Sequence, residues 1–244
     1  RLTGRTADGR PAALATKAGH NDGHHSHTDV GTFILHVDGE GPARTDVPVE
    51  ELPRLLGNPR GFLWVDLVEE PQDSARQLLS DAFGFHPLAV DDALDESHFP
   101  KVNDWETYLY LAVHAPVPMV NEGGSAPTLE LDVFLGPTYL VTYQQHRIDA
   151  VEGFWQSLLR ESRICRRGAA HVLYSLVDSM IMEMMRTIAI LDDEIEELED
   201  RVMAHPATEH VERIAAVRRQ LLGLRRILAP EREVINRLSR GDFA

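Results

Sequence analysis

Two adjacent aspartates, Asp91 and Asp92, could offer carboxylate oxygens to a divalent metal ion, although neighbouring helical residues cannot easily bind one ion together. Two more acids, Asp95 and Glu96, follow one helical turn later. Mg²⁺ binds carboxylate oxygens but usually takes only one or two of them, because it keeps several of its waters. On a helix, neighbouring side chains point about 100° apart, whereas residues four apart share a face. Asp91 could therefore act with Asp95 while Asp92 faces another element, and other elements or a second subunit would complete the site.

A second candidate metal site is a run of imidazoles near the N-terminus. It contains His20, His24, His25 and His27, with Asp22 between them. Imidazole nitrogens suit Zn²⁺, Ni²⁺ and Co²⁺. Residues 1–30 are rich in Gly, Ala, Thr, Asp and His without apolar periodicity, which is typical of a flexible leader. The run is therefore either a transition-metal site or a solvated tail that binds such ions loosely.

A third cluster is acidic, since seven of the nine residues from 192 to 200 are Asp or Glu. On a helix these acids cover the outward face. One interpretation is a solvated face balanced by arginines of a partner helix: Arg213, Arg218, Arg219, Arg225 and Arg226. The other is an acidic surface that attracts cations through long-range electrostatics without chelating them.

Charge and motifs argue against several classes of function. The 244 residues carry 24 Lys and Arg against 39 Asp and Glu, a net charge of −15. Nucleic acid is a poor partner for such a chain, because phosphate binding needs a dense basic surface. The single cysteine excludes an internal disulfide and a zinc site built on two pairs of cysteines. No catalytic motif surrounds His86, His98, His114 or His146, so we predict that the protein is not an enzyme.

Between residues 31 and 168, patterns of apolar residues predict strands that alternate with helices. Strand patterns occupy residues 33–37, 62–67, 107–114, 129–135 and 139–143, and helical patterns occupy residues 48–56, 72–83 and 87–95. A turn at residues 136–138 should join the last two strands into a hairpin. The predicted fold class is α+β, with a mixed β-sheet sandwiched between helices.

From residue 169 onwards, apolar residues recur at spacings of three and four, which is typical of long helices packed along a seam. The first seam contains Tyr174, Val177, Ile181, Met184, Ile188, Leu191, Ile195, Leu198 and Val202. The second contains Ile214, Val217, Leu221, Leu224, Leu228, Ile235 and Leu238, with Glu231 interrupting it. The short connector at His205 predicts a long antiparallel helical hairpin over residues 169–244, in which Pro230 should kink or break the second helix. The sequence contains no run of 18 or more apolar residues, which is the length that a helix needs to span a bilayer.

A series of short motifs runs along the chain. They are FLWVDL at residues 62–67, FGFHPLAVDDALD at 83–95, PKV at 100–102, YLY at 108–110, AHVLYSLVD at 170–178, LDDEIEELE at 191–199, RRQLLGLRR at 218–226 and PEREVIN at 230–236. In this order they resemble the CorA family of divalent-cation transporters. The resemblance covers residues 31–240.

The resemblance implies the N-terminal cytoplasmic part of such a transporter, which the family continues into a stalk helix and two membrane helices. Family members are homopentamers. The resemblance therefore also implies that this protein is a homo-oligomer and that it meets the membrane only through those later helices. In magnesium-gated members, paired acids after the His-Pro step bind Mg²⁺ between subunits. These acids correspond to Asp91 and Asp92, and a further family acid corresponds to Asp178. The implied function is a regulatory domain at the cytoplasmic face of the membrane that senses Mg²⁺ through acids at subunit interfaces.

Two alternatives stay open. The histidines of the leader favour the zinc-transporting ZntB branch of the family, because imidazole suits Zn²⁺ better than Mg²⁺. The protein could instead be a standalone adaptor whose helical hairpin binds a partner, which requires a gene that ends near residue 244.

Overall fold

A six-stranded β-sheet is the centre of the computed structural model, which describes residues 30–96, 99–117, 128–205 and 207–241. Its strands are β1 (Gly31–Asp38), β2 (Gly61–Val68), β3 (Lys101–Asp104), β4 (Leu109–Pro116), β5 (Thr128–Leu135) and β6 (Tyr139–Gln144). They lie in the order β1-β2-β6-β5-β4-β3. Only β2 and β6 run parallel, and every other neighbouring pair is antiparallel. The sheet is therefore mixed, and β5 and β6 form the predicted hairpin.

Helices cover both faces of this sheet, which confirms the predicted α+β fold class. One face carries α1 (Leu52–Leu56), α2 (Gln72–Gln77) and α3 (Pro87–Leu94), and the other carries α4 (Asp149–Arg160), α5 (Ala169–Ala204) and the end of α6 (Thr208–Arg240). Successive strand residues point to opposite faces. In β2, Trp64 accordingly packs with the α4 and α5 layer, and Val65 packs with the α1 to α3 layer.

The helix α3 is fixed at both ends by local signals. Pro87 occupies its first position, and the His86 side chain accepts a hydrogen bond from the Leu88 amide. The helix ends at Leu94, and Asp95 follows in an extended conformation. Its sheet-facing side is buried and contains Ala89, Val90, Ala93 and Leu94. Burial of that side leaves positions 91 and 92 on the outer part of the layer.

The hairpin of α5 and α6 begins against the sheet and extends beyond it. The 36 residues of α5 span about 54 Å at 1.5 Å per residue. Its first half packs on the sheet through Val172, Leu173, Leu176 and Met180. Further along, Met184, Leu191 and Leu198 of α5 bury Val217 and Leu224 of α6. No helix among the described residues is long and apolar enough to cross a membrane.

Several details of the predicted hairpin are wrong. Ile214 and Leu221 of the second seam are exposed. Tyr174 and Ile181 of the first seam are exposed, because the sheet covers α5 there and α5 turns a different side inward. Pro230 does not break the second helix, since α6 runs without interruption from Thr208 to Arg240, and the alternative of a kink stays a prediction. Proline in a helix interior costs about 3 kcal/mol. The burial of the apolar side chains of Ile227 and Val234 on either side of it helps to offset that cost.

Two elements of the fold, β3 and α4, were not predicted from the sequence. The strand β3 has only four residues, KVND, without apolar alternation. The helix α4 does carry a helical signal, since Val151, Phe154, Trp155 and Leu158 recur at helical spacing and are buried. The division of the chain at residues 30 and 168 stays a prediction.

Candidate metal-binding site

Asp91 and Asp92 lie side by side on α3, and each forms an ion pair with a different neighbouring element. The Oδ1 atom of Asp91 is 2.5 Å from the Arg76 Nη1 atom of α2. The Oδ2 atom of Asp92 is 3.0 Å from the Lys101 Nζ atom of β3. Their side chains are 49% and 46% exposed. Both carboxylates can therefore be reached from solvent, and the two point in different directions as adjacent helical residues must.

The carboxylate oxygens of this pair are of the ligand type that Mg²⁺ prefers. Mg²⁺ takes one or two carboxylates and fills its remaining positions with water, which half-exposed side chains allow. Asp95 does not extend the pair along the same helical face, because α3 has already ended at Leu94. Further protein ligands would have to come from elsewhere.

Asp178, the third acid implied by the resemblance, does not join the pair within one chain. It lies on α5, which covers the face of the sheet opposite α3. Its side chain is exposed, on the same side of α5 as Tyr174 and Ile181. The described residues contain no group of three or more His, Cys, Asp or Glu side chains arranged to hold a metal ion. The predicted ligands His20, His24, His25 and His27 lie outside the described residues.

A cluster of buried acids that sequence reasoning missed lies in the sheet beside Lys101. Asp132 of β5 accepts a 2.6 Å hydrogen bond from the Tyr110 hydroxyl of β4. Burial raises the pKa of Asp132 well above its ordinary range, and nearby Glu130 raises this pKa further. The His114 Nε2 atom lies 3.6 Å from Glu130 Oε2, and both side chains are almost fully buried.

The alternation of apolar and acidic residues along β5 could have predicted this cluster of buried acids. Leu129, Leu131 and Val133 share one face of the strand, so Glu130 and Asp132 must share the other. Because helices cover both faces of the sheet, acids on either face are buried. Lys101 connects the cluster to α3, since its Nζ atom lies 5.4 Å from the centre of the Tyr110 ring while it pairs with Asp92.

Glu231, which interrupts the seam of α6, is also buried and has a structural partner. Its Oε1 atom accepts a 2.9 Å hydrogen bond from the backbone amide of His114 in β4. The strand β3 reaches only as far along β4 as Ala112, so the amide lies beyond the end of that pairing. Burial raises the pKa of Glu231 to about 7, against a smaller lowering by the hydrogen bond. Glu231 thus satisfies a backbone donor that the sheet leaves open.

The acidic residues 192–200 are mostly on the exposed side of α5. One cross-helix ion pair joins Glu194 to Arg213 of α6, and Glu197 pairs with Arg201 of its own helix at 2.5 Å. Asp192 and Asp193 are exposed and form no ion pair with any described residue. This arrangement is that of a solvated face with limited balance from arginines.

Comparison with known proteins identifies chains that are similar in sequence. The chain is 27% identical over 207 residues to the putative metal ion transporter YfjQ of Bacillus subtilis, covering 84% of this chain and 61% of that protein. It is 27% identical over 181 residues to the cobalt/magnesium transport protein CorA of Thermotoga maritima, covering 72% and 50%. The chain thus spans between half and about three fifths of these relatives' length.

Solved structures share the fold. The full-length CmaX protein superposes with a TM-score of 0.73 at 22% identity, covering 88% of this chain and 65% of that one. The ZntB cytoplasmic domain of Vibrio parahaemolyticus gives 0.65 at 17% identity, covering 87% and 81%. The sequence profile of the family described as CorA-like Mg²⁺ transporter protein matches residues 59–243. With its motifs, fold and profile in agreement, the chain belongs to the CorA-like family.

Proposed function

We propose that this chain is the cytoplasmic regulatory part of a CorA-like divalent-cation transporter and that Asp91 and Asp92 bind its regulatory Mg²⁺ between subunits. The observation that carries the proposal is the position of these acids: adjacent, half-exposed and on the outer part of a short helix. Family membership supports transport as the activity of the whole protein, and the names of the relatives fit Mg²⁺ as the ion.

The proposed site uses a second copy of the chain, because Asp91 and Asp92 point in different directions and are poorly placed to bind one ion together within a single copy. The described residues of one chain contain no three-ligand group, and the sheet separates Asp178 from α3. A carboxylate from a neighbouring copy, with Asp178 as the candidate, would complete the set. A homo-oligomer, which is a pentamer in the family, would bring the two layers together.

The repulsion between carboxylates at such an interface would allow Mg²⁺ to control whether neighbouring copies stay together. Two carboxylates about 4 Å apart repel by about 4 kcal/mol at an effective dielectric constant near 20. A bound Mg²⁺ would remove this repulsion and hold the copies together. When the ion is absent, the acids of neighbouring copies separate and the copies can shift.

A thermal melt after EDTA treatment tests the proposal when it is titrated separately with Mg²⁺ and Zn²⁺. Ligand at ten times its Kd should add about 1.4 kcal/mol of stability, or a few degrees. We expect millimolar Mg²⁺ to raise the melting temperature more at the higher of two protein concentrations, because the ion joins copies. A rise with micromolar Zn²⁺ alone would support the zinc branch instead. An Mg²⁺ response that survives Asp91→Asn with Asp92→Asn would refute the assigned ligands.

A further inference from the structure

We propose that Arg76 and Lys101 act as internal counter-cations that compete with the divalent cation for Asp91 and Asp92. This inference rests on the proposed function and concerns what sets the ion affinity of that site. The two basic residues come from separate elements on either side of α3, namely α2 and β3. Each makes its only ion pair among the described residues with one of these aspartates.

The charges of the four side chains cancel. Two carboxylates carry −2, and Arg76 with Lys101 carries +2 at neutral pH. One divalent ion brings the same +2. One Mg²⁺ can therefore neutralise both carboxylates in place of the two basic side chains, which stay attached nearby and turn their positive charges towards solvent or towards other groups.

Both ion pairs are weak enough for such an exchange. The Arg76 side chain is 48% exposed, and ion pairs between exposed groups contribute little to stability because water screens them. A displaced guanidinium can move into solvent without losing any other ion pair. The affinity of Asp91 for the metal is then reduced by whatever the Arg76 pair contributes.

Lys101 differs because it has a second place to go. Its side chain is only 27% exposed, and its Nζ atom already lies 5.4 Å from the centre of the Tyr110 ring. The hydroxyl of that tyrosine is bonded to the buried Asp132. When Lys101 leaves Asp92, its ammonium group stays over an electron-rich ring and close to the buried acids. Exchange at Asp92 thus shifts a positive charge from the surface of α3 towards the sheet.

Isothermal titration of the 244-residue chain with MgCl₂ at constant ionic strength tests the inference. The variants are Arg76→Gln and Lys101→Gln, and the matched control is Arg201→Gln, which removes one exposed positive charge paired with Glu197 on α5. We expect Arg76→Gln to lower the apparent Kd for Mg²⁺ by about twofold to fivefold, in line with the small strength of an exposed pair. Lys101→Gln should lower it at least as much, and Arg201→Gln should leave it unchanged.

The outcomes separate this inference from the proposed function. If Asp91→Asn abolishes binding but the Arg76 and Lys101 variants keep the wild-type Kd, the competition is refuted and the aspartate site stands. If Asp91→Asn with Asp92→Asn leaves the titration unchanged, or if no variant binds Mg²⁺, both proposals fail. Should Lys101→Gln not fold, the half-exposed Arg76 position decides the matter by itself.

Discussion

The chain contains two adjacent aspartate pairs on helices, Asp91-Asp92 and Asp192-Asp193, and the fold treats them differently. The first pair lies on a short helix between two other elements, and each carboxylate meets a cation from one of them. The second lies on the exposed side of α5, and neither carboxylate forms an ion pair with a described residue. Equal sequence patterns thus give one pair that meets basic side chains of two other elements and one pair that forms no ion pair with a described residue.

This difference shows why acidic density is a poor guide to a metal site. Seven of the nine residues from 192 to 200 are acidic, yet they form no three-ligand group, and the described residues around α3 form none within one chain either. A ligand must be held in position, and a long exposed side of a helix does not hold its side chains. Each carboxylate of the α3 pair instead meets one basic side chain from a neighbouring element.

The largest expected effect concerns Glu231, a buried acid that contrasts with both aspartate pairs. Its pKa of about 7, against an ordinary 4.5, means that the folded chain binds the proton more tightly than the unfolded chain. The resulting stabilisation is complete below about pH 4.5 and is lost as the pH rises through about 7. Glu231→Gln should remove this loss, of up to about 3 kcal/mol, because Gln can still accept the His114 amide bond.

Urea unfolding at several pH values between 5 and 8 measures this effect. The control is Glu233→Gln, an exposed position of the same helix, which should keep the wild-type pH dependence. An unchanged pH dependence in Glu231→Gln would contradict the burial of this carboxyl.

A smaller effect is expected at Asp132, the buried acid beside Lys101. Asp132→Ala leaves the Tyr110 hydroxyl without its acceptor and should lower the free energy of unfolding by about 1 to 3 kcal/mol. Asp132→Asn keeps an acceptor oxygen and should cost less than about 1 kcal/mol. Chemical denaturation at pH 7 distinguishes the two, and equal losses would show that the hydrogen bond is not what Asp132 supplies.

At the exposed end of the hairpin, the effects should be smaller still. Arg213→Ala removes the cross-helix pair with Glu194 and should cost at most about 1 kcal/mol, less at high salt. Asp192→Asn, which removes a charge that makes no ion pair, should change the free energy of unfolding by less than about 0.5 kcal/mol. Denaturation at low and high salt tests both, and a salt-independent loss in Arg213→Ala would argue against an ion pair.

Much of the fold could be predicted from local pattern. The alternation in residues 129–135 and the proline at position 87 gave β5 and α3 because strands and helix starts depend on nearby residues. The four-residue β3 carries too little pattern, and it is a strand because β4 supplies a partner. The exposure of Tyr174 depends on where the sheet meets α5, which spacing along one helix cannot report.

The candidate site was predictable only as far as it depends on residues that are close together in the sequence. Asp91 and Asp92 are recognisable from their type and their motif, and their divergence follows from helix geometry. Their cation partners are not, since Arg76 is 15 residues away and Lys101 lies on the unrecognised β3. Glu231 meets a backbone amide 117 residues away. Such contacts arise only when the elements pack.

The central claim is tested most directly by sedimentation velocity in Mg²⁺ and in EDTA. The samples are the wild-type chain and two double variants, in each of which one aspartate pair is replaced by asparagine. We predict that Mg²⁺ shifts the wild-type chain and the Asp192→Asn, Asp193→Asn variant to a larger assembly, and leaves the Asp91→Asn, Asp92→Asn variant unshifted. An equal shift in both double variants would contradict the claim that the α3 pair, held between its two cations, is the site that binds the ion between copies.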